Sequence, residues 1–318
     1  MIALLRLAGR RLVALPWMIL GITLLVFVTM QFSRVDPAIN ALGEGASLAA
    51  REEWRVANGL NEPLFVRYWT FLSGLVQGDL GTYGPRQQPV VEEVAKAFPL
   101  TIQLTLLGLI IAVTLALLLG VTAALYRDGW PDQVIRVLSI AAVATPSFWL
   151  AVLLIQFVSL GLGLLPASGG LVPFSQDPGE YLARMALPAL ALGVPVAGSL
   201  IRVVRTAMVE ELDRDYVRTA IGAGIPRGIV VARNVLRNAL ITPITVLGLR
   251  IGYLMGGAVI IEVIFALPGM GMLILNGVTN NEPNLVQGVT LTVALAFVLV
   301  NIVVDLLYLL VNPRIRTV

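Results

Sequence analysis

The chain has 318 residues, of which 58% are hydrophobic and 13% charged, and its mean hydropathy is +0.88. A water-soluble domain carries about 25% charged residues, so this composition excludes an ordinary soluble enzyme and indicates a surface that faces lipid. The sequence contains no cysteine and no histidine. Disulfides, metal sites with thiolate or imidazole ligands, and mechanisms that need a histidine base are therefore excluded.

Six apolar stretches are each long enough to cross a bilayer core, which takes about 20 residues of helix. They lack the alternation of apolar and polar residues that is typical of a barrel strand. The predicted spans cover residues 12–32, 100–126, 134–160, 186–204, 241–264 and 286–311. We therefore expect an all-α membrane protein with six transmembrane helices.

The first span follows three arginines, Arg6, Arg10 and Arg11, as a signal peptide would. Its apolar run is longer than the hydrophobic region of a typical signal peptide, and no small-residue cleavage site follows it. We interpret residues 1–32 as an N-terminal cytoplasmic segment and a retained first transmembrane helix. The rest of the chain is predicted to form an external loop over 33–99 and a five-helix core over 100–318.

The basic residues predict the orientation of the chain in the membrane. With the N-terminus inside, the cytoplasmic segments hold fourteen basic residues and the outer segments seven, six of these in one long loop. Long loops contribute little to the positive-inside rule, so both termini are predicted to be cytoplasmic. The net charge of +3 then reflects membrane orientation and not nucleic-acid binding. The fourteen are Arg6, Arg10, Arg11, Arg127, Arg136, Arg202, Arg205, Arg214, Arg218, Arg227, Arg233, Arg237, Arg314 and Arg316.

The outer loop, 33–99, carries aromatic residues at helical spacing. Trp54, Phe65, Tyr68 and Phe71 belong to this pattern, and several glycines end it after residue 77. The periodicity predicts short amphipathic helices that form an external cap. A solvated linker is the alternative.

A second long loop, 205–240, is predicted to face the cytoplasm. Asp213 or Asp215 can cap a short helix over Tyr216–Ala223, which Gly224 would end. Pro226 suits the first turn of a second helix through Ile229–Leu240. From physical chemistry alone, this loop could equally be a basic helical hairpin that rests on lipid headgroups.

The fifth span combines a glycine stripe with one charge. Gly248, Gly252 and Gly256 are spaced by four, which predicts a close helix-packing face. Arg250 lies on the opposite side of the helix. A charge at mid-bilayer costs about 2.5–3.5 kcal/mol, so we expect Arg250 to face a wet cavity or a partner acid.

The role of Arg250 stays open between a contact along a transport path and a structural ion pair. Glu262, Asp305 or another subunit would supply the acid of such a pair. Gln156 and Asn301 are further polar candidates for lining the path. Asp305 is interpreted as a helix-packing or interface residue.

The chain lacks the residues of an ATP site. A phosphate-binding loop needs Gly-Lys-Ser/Thr, whereas the one lysine, Lys96, follows Ala95. We predict no catalytic residue, no metal site and no cofactor in this chain, so energy must come from a partner. An ion-coupled secondary transporter and a non-transporting membrane scaffold are the alternatives.

Several stretches closely resemble the permease subunits of binding-protein-dependent ABC importers, in the dipeptide/oligopeptide/nickel branch. Two further stretches, outside the loop 205–240, look like the first of the two paired permeases of that branch. They are Gly59–Leu64 with Gly78–Gly81, and Glu262–Gly271. In place of the basic residue that usually precedes the signature glycine, Gly222 and Ala223 precede Gly224, and Arg237 replaces a later proline. The stretches of the first group are Ser199–Arg205, Asp215–Ala220 with Gly224, and Arg237–Leu240 with Pro243.

The resemblance implies a type I ABC importer transmembrane domain in a bacterial inner membrane, carrying di- or oligopeptides, nickel chelates or glutathione. It implies a homologous second permease, two ATPase subunits that bind ATP and Mg, and an extracytoplasmic substrate-binding protein as partners, besides membrane lipid. The helix that ends at Gly224 would sit in a groove of an ATPase subunit. The coupling residues implied in this way are Asp215, Tyr216, Arg218, Thr219, Ala220 and Gly224.

Overall fold

The computed structural model describes residues 2–32, 36–43, 45–84, 86–167 and 169–311, with the backbone alone for residues 2–12, 40 and 305–311. Contacts divide the chain into two compact units. We call Arg6–Thr101 with Leu267–Leu299 the loop unit, and Ile102–Ala266 with residues 2–5 and 300–311 the core unit. Within the described ranges, the long apolar helices number five, or six when one bent pair is counted as a span.

The loop unit contains the N-terminal helix α1 (Ile2–Gln31) from Arg6 onward and three short helices, α2 (Pro37–Leu42), α3 (Leu48–Ala57) and α4 (Leu64–Val76). A two-stranded antiparallel hairpin follows, β1 (Thr82–Tyr83) with β2 (Gln88–Pro89). Phe27 of α1 packs against Tyr68 and Phe71 of α4, with ring centroids 5.3 and 5.9 Å apart. The described part of 33–99 thus contains three short helices and a hairpin, and Tyr68 and Phe71 pack against α1.

Helix α5 (Val90–Leu125) begins ten residues before the predicted start of the second span at residue 100. Its first turns carry charged residues, so their mean hydropathy is too low for them to be predicted as part of an apolar span. Val90, Val94 and Ala97 nevertheless share one helix face and are buried in a cluster with Met270 of α13 and Leu285 of α14. The other helices of this region are α13 (Met270–Thr279) and α14 (Pro283–Val311).

The third predicted span, 134–160, is not one straight helix. Helix α6 (Trp130–Ala144) is followed by α7 (Ser147–Leu154), which continues as a π-helical segment, Ile155–Gly161. The two parts meet at an angle of 104°. The break has a local cause, since the ring of Pro146 disfavours helical backbone at the preceding residue, and Thr145 is extended with φ −85° and ψ 115°.

Helix α8 (Pro178–Leu212) is the central helix of the core unit. Of its apolar window 72% is buried, against 17–33% for the other four single-helix spans. Glycines allow its neighbours to approach closely: a Cβ at Gly193 would lie 2.5 Å from the carbonyl oxygen of Gly108 on α5, and one at Gly198 would lie 2.6 Å from that of Ser139 on α6. Larger residues at these two positions would separate the helices.

The core unit continues with short helices and ends in a further span. These are α9 (Asp215–Gly222), α10 (Arg227–Val230), a π-helical segment Val231–Val235, α11 (Leu236–Ala239) and α12 (Ile241–Ile264). Helix α12 has the bounds predicted for the fifth span.

Candidate functional site

The short helix in the loop 205–240 begins without a side-chain cap. Its N-cap residue is Arg214, and no side chain bonds the first free N–H groups. The prediction that Asp213 or Asp215 caps this helix is therefore wrong. The Asp213 carboxylate instead accepts a hydrogen bond from Arg127 at 2.9 Å, and Asp215 lies in the first turn, where a negative charge is favoured by the helix dipole.

The same helix ends at a glycine turn. Gly224 has φ +86°, a left-handed conformation that glycine adopts without steric cost. The N–H of Ile225 donates to the carbonyl of Ala220 at 3.1 Å, and that of Gly224 donates to the carbonyl of Ile221 at 3.0 Å. This pair of bonds is the Schellman arrangement, and Pro226 then precedes α10.

Helix α9 is held on its inner side by Tyr216 and Val217. Val217 is buried. The Tyr216 hydroxyl donates to Glu211 Oε2 at 2.8 Å and accepts from Asn238 Nδ2 at 3.4 Å. Burial raises the pKa of Tyr216, so its hydroxyl keeps the proton that it donates. The helix is thus tied to α8 on one side and to α11 on the other.

The outer side of α9 is exposed. Asp215, Arg218 and Thr219 lie there, whereas Ala220 is half-buried. Asp215 and Arg218 make no ion pair with any residue that the structure describes. The predicted coupling residues thus fall into two groups, since Tyr216 acts within the chain while Asp215, Arg218 and Thr219 face outward.

Three isoleucines at the end of α9, in the following turn and on α10 are also exposed. Ile221, Ile225 and Ile229 are 42%, 44% and 52% exposed. They were not predicted from the sequence, because the turn at Gly224 interrupts the helix and their spacing of four residues does not place them on one face.

A buried ion pair joins α6 to α8 near this loop. Asp132, fully buried, accepts two bonds from Arg205, with Nε–Oδ1 and Nη2–Oδ2 both at 2.6 Å. The backbone N–H of Asp128 donates a third bond at 2.9 Å. In the sequence, Arg205 is a topology signal and part of the family-like stretch Ser199–Arg205, but its pairing with Asp132 was not predicted, because the two residues are 73 positions apart.

Arg250 lines a groove between α8 and α12, with a volume of about 400 Å³. On α8 and on α12, the residues that line the groove are spaced by three or four positions, so they lie on one face of each helix. Arg250 is half-buried, and it makes no ion pair with Glu262 or any other acid among the described side chains; Asp305 lies outside these. The groove is lined by Ser199, Arg202, Val203, Thr206, Ala207, Glu210, Thr242, Val246 and Arg250.

The other two predicted path residues do not line this groove. Gln156 is exposed on the π-helical segment after α7, and Asn301 is half-buried on α14. The structure therefore does not bring Arg250, Gln156 and Asn301 together in this groove.

The glycine stripe of α12 has two environments. Gly248 and Gly252 are buried, and a Cβ at Gly248 would collide with the side chain of Val304 on α14. Gly256 is exposed, with no described atom within 4 Å of a Cβ built there. Close packing within the chain thus applies at Gly248 and not at Gly256.

Comparison with known proteins extends over nearly the whole chain. A putative peptide transport system permease protein of Brucella abortus is 39% identical over 303 residues, which are 95% of this chain and 96% of that protein. Glutathione transport system permease proteins of Pectobacterium atrosepticum and Salmonella choleraesuis are each 36% identical over 307 residues, 96% of this chain and 97% of theirs.

Two family models match in succession. The N-terminal model of binding-protein-dependent transport system membrane components matches residues 4–105. The model of the binding-protein-dependent transport system inner membrane component matches residues 116–317, which is more than half of the chain. The chain therefore belongs to this family of inner membrane components, and it is a permease subunit with the type I ABC importer membrane fold.

Proposed function

We propose that this permease subunit carries short peptides, as the first of two homologous permeases in one importer. The supporting observation is the 39% identity over 95% of the chain to a protein named as a putative peptide transport permease. Family membership makes the chain a transport component that works with an ATPase and a binding protein. It leaves the ion-coupled transporter and the scaffold without support.

The groove between α8 and α12 is our candidate for part of the peptide path. A peptide carries a terminal carboxylate, and Arg250 and Arg202 line the groove together with Glu210. Charge-assisted hydrogen bonds to a carboxylate are about twice as strong as neutral ones. Arg250 makes no ion pair with any side chain that the structure describes, so within that part of the chain no ion pair must break before it binds a passing anionic group.

Helix α9 is our candidate for the contact to an ATPase subunit. Import by alternating access needs two states, and moving their ratio from 1:99 to 99:1 takes about 5.5 kcal/mol of differential binding. Two partner ATPase subunits with ATP and Mg would supply it, and this chain would need no cofactor. The bonds of Tyr216 to Glu211 and Asn238 would carry the movement of α9 to α8 and α11.

Glutathione is the second candidate cargo, because relatives named as glutathione permeases are 36% identical over 96% of the chain. The deciding experiment reconstitutes the chain in liposomes with its binding protein, second permease and ATPases. Labelled di- and tripeptides, glutathione and a nickel chelate are then offered in turn. We expect ATP-dependent uptake of the peptides. Uptake of glutathione or nickel alone would refute the peptide assignment while leaving the importer class intact.

A further inference from the structure

One face of the short helix α4 in the loop unit is apolar and exposed. Phe65, Trp69 and Val76 are 77%, 65% and 87% exposed, and their spacing of four and seven residues places them in one row along the helix. Arg67 lies on the opposite face, with Thr70 beside it. A large apolar surface of this kind marks a contact with protein or with a membrane.

Helix α4 packs against the spanning helix α1, and these contacts fix its height along that span. The ring of Phe27 on α1 contacts Tyr68 and Phe71 of α4. The Tyr68 hydroxyl donates to the carbonyl oxygen of Leu20 at 3.2 Å and lies 3.0 Å from Oγ1 of Thr23. Since Thr23 and Phe27 are buried, the contact between the two helices is close.

The level of the membrane on α1 is marked at both ends of the span. The apolar span is Val13–Gln31, and no charged residue stands between Arg11 and Arg34. Its 19 residues make a helix about 28 Å long, close to the hydrocarbon thickness of about 30 Å. Phe27 lies four residues, about 6 Å, inside the C-terminal end of the span. Helix α4 therefore contacts α1 within the apolar span and not beyond it.

The composition of α4 suits this level. It carries one charged residue, Arg67, in 13 residues, whereas α3 carries four in ten. Tryptophan is enriched where a membrane meets water. Helices that lie in this boundary bury their apolar face about 5–10 Å into the region between headgroups and acyl chains, a depth that includes the level of Phe27.

Lipid is the partner that this level favours, because a membrane protein surface that no protein covers there must face acyl chains. Only 17% of the apolar window of α1 is buried. From these observations we propose that α4 is an interfacial helix, with Phe65, Trp69 and Val76 among the acyl chains of the leaflet at the C-terminal end of α1. Arg67 is then turned to the aqueous side. In the predicted orientation this is the outer leaflet.

The placement divides the predicted external cap. Helix α3 stays in water, while α4 attaches the loop to the membrane and, through Tyr68, to the middle of α1. This role depends neither on the cargo nor on the contact with an ATPase subunit, so it holds whichever substrate is carried.

Spin labels on single cysteines test the placement, in liposomes that hold the full chain with its partner subunits. The sequence has no cysteine, so each label reports one position. Phe65→Cys, Trp69→Cys and Val76→Cys are compared with Thr70→Cys, an exposed residue on the polar side of the same helix. We expect the first three labels to collide more often with oxygen than with a water-soluble nickel chelate, at a depth of about 5–10 Å. The label at Thr70→Cys should show the reverse order.

Three results would overturn the interfacial helix. A preference for the nickel chelate at all four positions would place α4 in water. Rare collisions with both reagents at Phe65→Cys and Trp69→Cys would show that another protein covers the row. A preference for oxygen at all four positions would place the whole helix inside the hydrocarbon core.

Discussion

Arg250 lies in an apolar helix, and its charge needs either water or a carboxylate in its surroundings. The open groove between α8 and α12 gives Arg250 access to water, and its lining contains one acid, Glu210 on α8. Among the described side chains none forms an ion pair with Arg250, so Arg250 can bind a passing carboxylate without first breaking an ion pair to one of them. At this scale the path hypothesis is therefore testable by one substitution.

Arg250→Leu should reduce ATP-dependent peptide uptake by roughly 10- to 100-fold, because a hydrogen bond to a charged group contributes about 1.5–3 kcal/mol. Assembly with the partner subunits should be normal. Tyr253→Leu is the control, since Tyr253 is 55% exposed on α12 and does not line the groove. Unchanged uptake in Arg250→Leu would show that Arg250 has no role in the path.

The buried pair Asp132–Arg205 makes a second residue-level prediction. Removing one partner of a buried ion pair costs about 3–5 kcal/mol, because the other charge is left without compensation. Asp132→Asn should therefore lower the free energy of unfolding strongly. The pair Arg127–Asp213 is exposed at 49% and 63%, so Asp213→Asn should cost less than about 1 kcal/mol.

Thermal unfolding of the two purified variants in detergent measures this difference. A similar melting temperature for both would contradict the structural role of Asp132. Neither variant touches the groove lining, so any loss of peptide uptake beyond the loss of folded protein would also argue against a purely structural pair.

Among the elements, α9 depends on the turn that ends it. Gly224→Glu puts a bulky charge at a left-handed residue, and we expect loss of both ATPase association and peptide uptake. Gly224→Glu could act through backbone strain at the left-handed residue or through the added charge. Gly224→Asn distinguishes these two causes, because asparagine tolerates the left-handed conformation and carries no charge. Gly228→Glu is the matched control, since Gly228 has open space and an ordinary backbone conformation.

Pull-down of the ATPase subunits measures association in each variant. We expect binding by Gly224→Asn and Gly228→Glu and none by Gly224→Glu. If Gly224→Glu retains its ATPase subunits and its transport rate, α9 is not the contact that we propose.

The helices also show which structural features a hydropathy pattern predicts and which it does not. Helix α12 has the bounds that its apolar run predicts, and the helix ending at Gly224 follows from local glycine and proline chemistry. The apolar pattern did not predict that α5 begins within a charged segment, because hydropathy does not show that one face of such a segment is buried. It also did not predict the 104° bend at Pro146, because hydropathy does not report the direction of a helix. The pair Asp132–Arg205 required tertiary contact between residues far apart in sequence.

At the scale of the whole molecule, the remaining prediction is orientation. Fourteen basic residues on one side against seven on the other predict cytoplasmic termini, with the loop 205–240 inside and the loop 33–99 outside. The chain has no cysteine, so single-cysteine variants need no prior removal of thiols. Glu53 and Arg233 are exposed and report on the two loops.

A membrane-impermeant maleimide should label Glu53→Cys in cells whose inner membrane is intact. It should label Arg233→Cys only after that membrane is opened, because the charge on the reagent bars it from the hydrocarbon core. Both variants should be labelled equally in detergent, which controls for the reactivity of each thiol. The reverse pattern would invert the topology and place α9 on the side opposite to ATP, so that coupling through α9 would fail together with the orientation.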